Sequence, residues 1–163
     1  MPIVTRSILP SVFPNGGKTV ADRDRSIGFA EGVQRGFALD DAVSFRQFML
    51  EIYDYRCAVT GKAYASDEAD QLLEVFLFQP LGHGGHMAPG NAVVVDAVVA
   101  GLLGKGHLLI SDAYRAYTSH PEIVSEPVEA SEAHGRNMVL PDNVSLWPQP
   151  AMIGYHRSLF RAQ

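Results

Sequence analysis

A glycine-rich stretch of ten residues, "GHGGHMAPGN" (82–91), separates two apolar runs and constrains the fold more than any other feature. Its four glycines and one proline predict a loop, because neither residue type supports the interior of a helix or a strand. The run before it, "LLEVFLF" (72–78), is short and soon followed by a proline, which predicts a buried strand. The run after it, "AVVVDAVVAGLL" (92–103), is β-branched, but its twelve residues favour a helix that ends at the glycines beyond.

Before these runs, an extended arm and two helices are predicted. Residues 1–20 are rich in turn signals, and residues 22–36 predict a helix that a glycine stops. A stronger helix is predicted over 40–53, where four apolar residues recur at helical spacing: Phe45, Phe48, Met49 and Ile52. Next, "RCAVTGK" (56–62) predicts a short strand that enters a turn, and "ASDEADQ" (65–71) a polar loop or a short helical turn.

After them, the chain alternates short apolar pieces with loops. "HLLIS" (107–111) predicts a strand, and the stretch 121–143 is mostly loop with one strand-like piece, "NMVL" (137–140). "PQPAMIGYHRSLF" (148–160) predicts a C-terminal helix with a proline near its first turn. The mixture of helices with short strands predicts an α+β fold.

Composition narrows the class of protein. The 163 residues fit one domain, and 47% hydrophobic with 19% charged residues suit a folded chain with a full core. The net charge of −5 lacks the global signature of strong nucleic-acid binding. The single cysteine, Cys57, excludes an internal disulfide and a Cys-x-x-Cys zinc clip. The longest apolar run is too short to span a membrane, and the first residues predict no signal peptide, so the cytoplasm is the expected location.

Three stretches together resemble a known family: "FRQFMLEIYDYRCAVTGK", the strand "LLEVFLFQPL", and "GNAVVVDAVVAGLLGKGHLLISDAYRAY" after the glycine-rich loop. In this order they resemble the HNH endonuclease domain of bacterial restriction-endonuclease-like proteins, over roughly 45–117, with a weak echo in "IGYHRSLF" (153–160). The resemblance implies an α+β fold with a ββα-metal-type core and flanking helices. It divides the chain into an arm and helix (1–43), the HNH-like domain (44–118), and a C-terminal loop and helix packing on the same domain (119–163).

The resemblance also implies where the nuclease chemistry would lie. In the family, a histidine on the hairpin is the general base, an asparagine fixes the hairpin, and a histidine on the helix helps to hold one divalent metal. Position by position, the first histidine falls on Leu77, the asparagine on Asn91 and the second histidine on Ala100. Leucine cannot take a proton and alanine cannot bind a metal. The closing Phe-Asp-x-Gly falls on 103–106, so its aspartate is lost as well.

The expected function is therefore that of an HNH-endonuclease-like protein that is catalytically inactive, needs no cofactor and binds a protein partner, itself or DNA. Leu77 and Ala100 are expected to face each other in the core. The alternative is an active metal-dependent DNA endonuclease whose site is rebuilt near Asn91 from His83 and His86, with Glu74 or Asp96 adding oxygen. Otherwise the two histidines are solvated loop residues, and Asn91 orients a turn or caps a helix.

DNA binding would need a positive surface. The candidates for one are four basic residues: Arg46, Arg56, Lys62 and Lys105. Scattered singly along the chain, they are also typical of ordinary solvated charges. A contiguous positive groove would favour DNA as the partner, whereas an apolar patch would favour a protein.

Overall fold

The structure is a computed structural model, and it describes residues 41–118 and 132–161. The predicted arm over 1–20, the helix over 22–36 and nearly all of the segment 1–43 lie outside these residues. The described chain is a mixed α+β fold, as predicted, and its elements are α1 (Ala42–Ile52), α2 (Ser66–Leu72), β1 (Leu73–Leu77), β2 (Ala92–Asp96), α3 (Ala97–Lys105), β3 (Leu109–Ile110), β4 (Ala116–Tyr117) and α4 (Pro150–Ser158).

Helix α1 confirms the helix predicted over 40–53. Phe45, Phe48 and Met49 are buried and Ile52 is partly buried, because their spacing places them on one face of the helix. The two residues after the C-cap, Asp54 and Tyr55, have φ angles of 57° and 53°, a left-handed conformation that turns the chain back on itself.

The strand predicted over 56–62 is wrong. This stretch is a turn closed by a single bridge between Arg56 and Ala63, with the Gly61 N–H donating to the Cys57 carbonyl at 2.8 Å. Gly61 has a φ of 77°, which explains why the chain reverses here rather than extending. The stretch 65–71 was predicted to be either a polar loop or a short helical turn, and it is helical, as part of α2.

Strands β1 and β2 form an antiparallel hairpin around the glycine-rich loop, with Leu73 opposite Asp96 and Leu77 opposite Ala92. The prediction of β1 is confirmed, but the helix predicted over 92–103 is only half right. Its first five residues are β2, which is buried nearly throughout because both faces of the strand are covered. The Asp96 side chain then accepts a hydrogen bond from the Val99 N–H at 2.8 Å and starts α3.

The segment after the hairpin completes the core. Helix α3 ends at Gly106, which has a φ of 75° and lies so close to the ring of Phe160 that a Cβ would come within 2.3 Å of it. The strand predicted over 107–111 shortens to β3, which pairs with β4. The piece 137–140 contributes only one bridge, from Asn137 to Arg115.

Helix α4 confirms the helix predicted over 148–160. It packs against β3 and against the 3₁₀ turn Pro89–Asn91 that ends the glycine-rich loop. Across the described ranges, no helix is long and apolar enough to cross a membrane.

Candidate functional site

Of the two positions that the family resemblance assigns to histidines, Ala100 lies in the apolar core and Leu77 packs against it. Leu77 is the last residue of β1 and is partly buried against the core, opposite Ala92. Ala100 is in the second turn of α3 and is only 9% exposed. Helix α3 packs on both strands of the hairpin. The order strand, loop, strand, helix is therefore present. Neither Leu77 nor Ala100 carries a group that can take a proton or bind a metal.

Asn91 lies between these two positions in the sequence. Its side chain joins three backbone groups at the loop, and we call this set of hydrogen bonds the clamp. Its side chain is buried, with Oδ1 accepting from the Gln79 N–H at 2.8 Å and Nδ2 donating to the Gln79 carbonyl at 2.9 Å. Nδ2 also donates to the His86 carbonyl at 3.0 Å. These bonds hold the end of β1, the loop and the start of β2 together. The amide thereby satisfies the N–H and the carbonyl of Gln79, which have no other partner among the described residues, and adds a second bond to the His86 carbonyl, which also accepts from the Ala88 N–H.

Gly85 explains part of the glycine content of this loop. A Cβ on Gly85 would lie 1.8 Å from the Gln79 carbonyl oxygen and 3.0 Å from Asn91 Nδ2. Any side chain at this position would push the loop away from the clamp. The close packing of backbone around Asn91 therefore requires glycine at this position.

The two loop histidines are exposed and serve different contacts. His83 Nδ1 lies 2.8 Å from the Tyr155 hydroxyl oxygen, so this ring is tied to α4. His86 uses its carbonyl to hold Asn91. Of the carboxylates expected to join them, Glu74 is exposed in mid-strand and Asp96 caps α3 at the opposite end of the hairpin. Within the described part of the chain, no group of three or more His, Cys, Asp or Glu side chains could hold a metal ion.

Two of the four basic candidates are used inside the fold. The Arg46 Nη2 group donates to the carbonyls of Ala69, Asp70 and Leu73 at 3.3, 2.8 and 2.9 Å, and so ties α1 to the end of α2 and the start of β1. Arg56 Nη1 donates to the Gly61 carbonyl at 2.9 Å and braces the turn beside it.

The other two basic candidates are exposed. The Lys62 Nζ atom lies 5.0 Å from the centroid of the Tyr64 ring, and Lys105 ends α3. The structure thus places Arg46 on α1, Arg56 and Lys62 on the same turn, and Lys105 at the end of α3.

His156 is a buried polar residue for which the sequence offered no partner. Its Nε2 lies 2.8 Å from the Leu103 carbonyl oxygen, and the residue is only 2% exposed. A carbonyl only accepts, so Nε2 carries the proton and Nδ1 is a bare acceptor, which has no hydrogen-bond partner in the described structure. Three rings surround it at centroid distances of 5.3 to 5.8 Å: Phe76, Phe78 and Phe160. Burial lowers the pKa of His156.

No protein family matches the sequence, and no curated protein does. One solved structure with a similar fold is described as "Modification dependent TagI restriction endonuclease". The similarity covers 71% of this chain and 36% of that chain, at 19% identity and a TM-score of 0.51. This chain thus spans about a third of the length of that enzyme. The likeness is one of fold alone: the fold of this protein is similar to that of part of that chain.

Proposed function

We propose that this protein is an HNH-endonuclease-like module that has lost the nuclease reaction and acts by binding a protein partner. The observation that carries the proposal is that the asparagine of the family's site is present, whereas both of its histidines are absent. Asn91 still holds the ends of the hairpin, while Leu77 and Ala100 place apolar groups at the two histidine positions. The module spans 44–118, and 119–163 completes it.

The size of the two losses argues against residual cleavage. General base catalysis contributes typically about 10²–10⁴-fold in rate. A lost metal removes several kcal/mol of charge stabilisation, and each ~1.4 kcal/mol is about tenfold in rate. The residues at the hairpin and helix positions do not fit a divalent ion, because neither side chain has a donor atom. The module accordingly uses no metal cofactor.

Charge favours a protein over DNA as the partner. The chain has a net charge of −5, and the guanidinium groups of Arg46 and Arg56 are bonded to backbone carbonyls inside the fold. Binding of the DNA backbone depends on several free cations that replace counterions at neighbouring phosphates. This protein presents few such groups among its described residues.

The rebuilt nuclease site has less support. Its central amide, Asn91, directs both Oδ1 and Nδ2 to the backbone. One ring nitrogen of His83 is bonded to Tyr155, and neither Glu74 nor Asp96 lies at the loop. A site built from His83 and His86 would have to recruit a further ligand from outside the described residues.

A plasmid-nicking assay with Mg²⁺, Mn²⁺ and Ni²⁺ tests the loss of activity, with an active nuclease as the positive control. We expect the supercoiled plasmid to stay intact with every metal. Metal-dependent nicking that disappears in His86→Ala would overturn the proposal in favour of the rebuilt site. Retention of the protein on a short DNA duplex at physiological salt would overturn the choice of a protein partner.

A further inference from the structure

Within the described part of the chain, strand β1 has one paired edge and one open edge. The hairpin is a two-stranded sheet there, so β1 pairs with β2 on one side only. The Phe78 N–H donates to the Asn91 carbonyl at 2.9 Å, which fixes the alternation of the ladder. Glu74 and Phe76 therefore direct their backbone groups at β2, whereas Val75 and Leu77 direct theirs outward. Val94, which is opposite Val75, also directs its backbone groups away from the hairpin. Its carbonyl accepts from the Ala58 N–H at 2.8 Å on the far side of β2, in agreement with this alternation.

The open stretch is closed at both ends. On one side, Arg46 Nη2 occupies the outward carbonyl of Leu73. On the other side, the Asn91 side chain occupies both the N–H and the carbonyl of Gln79. Between these two closures, the outward N–H and carbonyl groups of Val75 and Leu77 have no hydrogen-bond partner among residues 41–118 and 132–161. Both residues are partly exposed. An open strand edge of this kind is a template for a further strand.

We propose that this edge pairs with the same edge of a second copy of the chain, about a two-fold axis that passes between the two Phe76 residues. The proposed function leaves the protein partner unidentified, and this inference identifies it as a second copy of the chain. It rests on the proposed function only in taking the partner to be a protein. The result is a four-stranded antiparallel sheet in the order β2, β1, β1 of the partner, β2 of the partner. Such an isologous contact closes on itself, so it produces a dimer rather than a fibre.

The hydrogen-bonding groups select both the second copy and the register. With Val75 opposite Leu77 of the second copy, the two open residues of each chain satisfy the two of the other through four hydrogen bonds. With Val75 opposite Val75, Leu77 would face Leu73, whose carbonyl already accepts from Arg46. With Leu77 opposite Leu77, Val75 would face Gln79, whose backbone is held by Asn91. Only one two-fold register uses every open group and no closed one.

The side chains around the edge agree with this register. The strand "LEVFL" contains none of the lysines or prolines with which natural proteins commonly guard an open edge. Its one charge, Glu74, falls opposite Phe78 of the second copy and not opposite another Glu74, so like charges do not meet. Val75 and Leu77 are partly exposed apolar residues on this edge. Pairing of the edge would cover apolar surface that an isolated strand leaves in water.

The test is the mass of the protein in solution, measured by light scattering after size exclusion over a dilution series. We expect twice 17.7 kDa at high concentration, falling towards the monomer on dilution. Val75→Pro removes one outward N–H and leaves the β1–β2 ladder intact, because proline is tolerated on an edge strand. This variant should remain monomeric at every concentration. Ala97→Pro, at the first position of α3, is the matched control and should dimerise like the natural sequence.

Amide hydrogen exchange on the unaltered protein tests the edge without any variant. The amides of Val75 and Leu77 should be protected at high concentration and lose that protection on dilution. A protein that stays monomeric at all soluble concentrations overturns the inference, as does dimerisation that Val75→Pro leaves unchanged. Protection of both amides in the monomer also overturns it, because another segment of the same chain then covers the edge. A monomer that does not nick plasmid contradicts only this inference, and a dimer that nicks contradicts only the proposed function.

Discussion

At the scale of single residues, two buried polar side chains hold the core of this protein together. Asn91 satisfies three backbone groups around the hairpin loop, and His156 satisfies a carbonyl at the end of α3. Asn91 is the one partner of the Gln79 N–H and carbonyl among the described residues, whereas the Leu103 carbonyl bonded to His156 also accepts from the Gly106 N–H. The contribution of such a residue to stability comes mainly from the free-energy cost of leaving a buried polar group without a hydrogen bond.

Replacing Asn91 with alanine should destabilise the fold strongly. The change leaves the Gln79 N–H and carbonyl without partners, at about 1–3 kcal/mol for each of the two groups if it stays dry. The His86 carbonyl loses the bond to Asn91 but still accepts from the Ala88 N–H at 3.0 Å. Urea unfolding followed by circular dichroism measures the loss. Asn143→Ala, which removes an exposed asparagine that caps a 3₁₀ turn, is the control and should cost about 0.5–2 kcal/mol. Equal losses in the two variants would refute the clamp.

His156 should make the protein less stable in weak acid. Burial lowers its pKa below the ordinary 6.5, with adjacent Arg157 acting in the same direction and the bond to Leu103 opposing them. Below pH 6.5 the unfolded chain takes up a proton that the folded chain refuses. This stability is therefore present above pH 6.5 and is lost as the pH falls through the folded pKa.

Urea midpoints measured on both sides of that pH, for the natural sequence and for His156→Phe, test this dependence. Phenylalanine fits among the three surrounding rings and cannot titrate. The variant retains Arg157, whose charge also lowers the pKa of His156, and Asp112, which forms an ion pair with Arg157. An unchanged slope of stability with pH in the variant would assign the effect to other groups.

At the scale of elements, the junction between β2 and α3 decides the topology. One continuous apolar stretch is divided into a strand and a helix at Asp96, whose carboxylate accepts the Val99 N–H. The division gives the hairpin its second strand and directs the helix back across it. Without this cap the start of α3 would be less stable, because the Val99 N–H would lose its hydrogen-bond partner.

Asp96→Ala should therefore cost about 0.5–2 kcal/mol, the usual range for removal of an N-cap. Asp96→Asn is the matched control, because asparagine caps about as well as aspartate, and it should stay close to the natural stability. The thermal unfolding midpoints of the two variants provide the comparison. An asparagine variant as unstable as the alanine variant would mean that the charge of Asp96 matters and its cap does not.

At the scale of the whole molecule, the described chain has a nuclease-like α+β fold in which α3 packs on both strands of the hairpin. Ala100 is part of the apolar core and Leu77 packs against it. These are the two positions that the resemblance assigns to histidines. The proposed loss of the nuclease reaction rests on these two positions, and the net charge of −5 supports the proposal of a protein partner.

Calorimetric titration with Mg²⁺, Mn²⁺, Zn²⁺ and Ni²⁺ should detect no tight site in the natural protein. The double change Leu77→His with Ala100→His places two imidazoles on β1 and α3, and we expect it to create measurable binding of Zn²⁺ or Ni²⁺, which imidazole ligands suit. Single changes at either position are the controls and should bind much more weakly. Micromolar binding by the natural protein that His83→Ala abolishes would instead support the rebuilt site.

The sequence by itself determined the features that depend on local chemistry. The apolar stripe of α1, the strand β1, the glycine-rich loop and the helix α4 follow from spacing and from residues that break regular structure. Asn91 was singled out by the resemblance to HNH endonucleases, which assigns it the role of fixing the hairpin. Each of these features depends on residues that are close together along the chain.

Only the tertiary structure decided where the apolar run after the loop becomes a helix, because pairing with β1 outweighs the preference of a twelve-residue run for a single element. It also decided that Arg46 serves carbonyls 23 to 27 residues away and that His156 serves a carbonyl 53 residues away. Contacts over such separations leave no periodic trace in the sequence. They arise when packing brings a buried polar group within reach of a backbone atom that needs a partner.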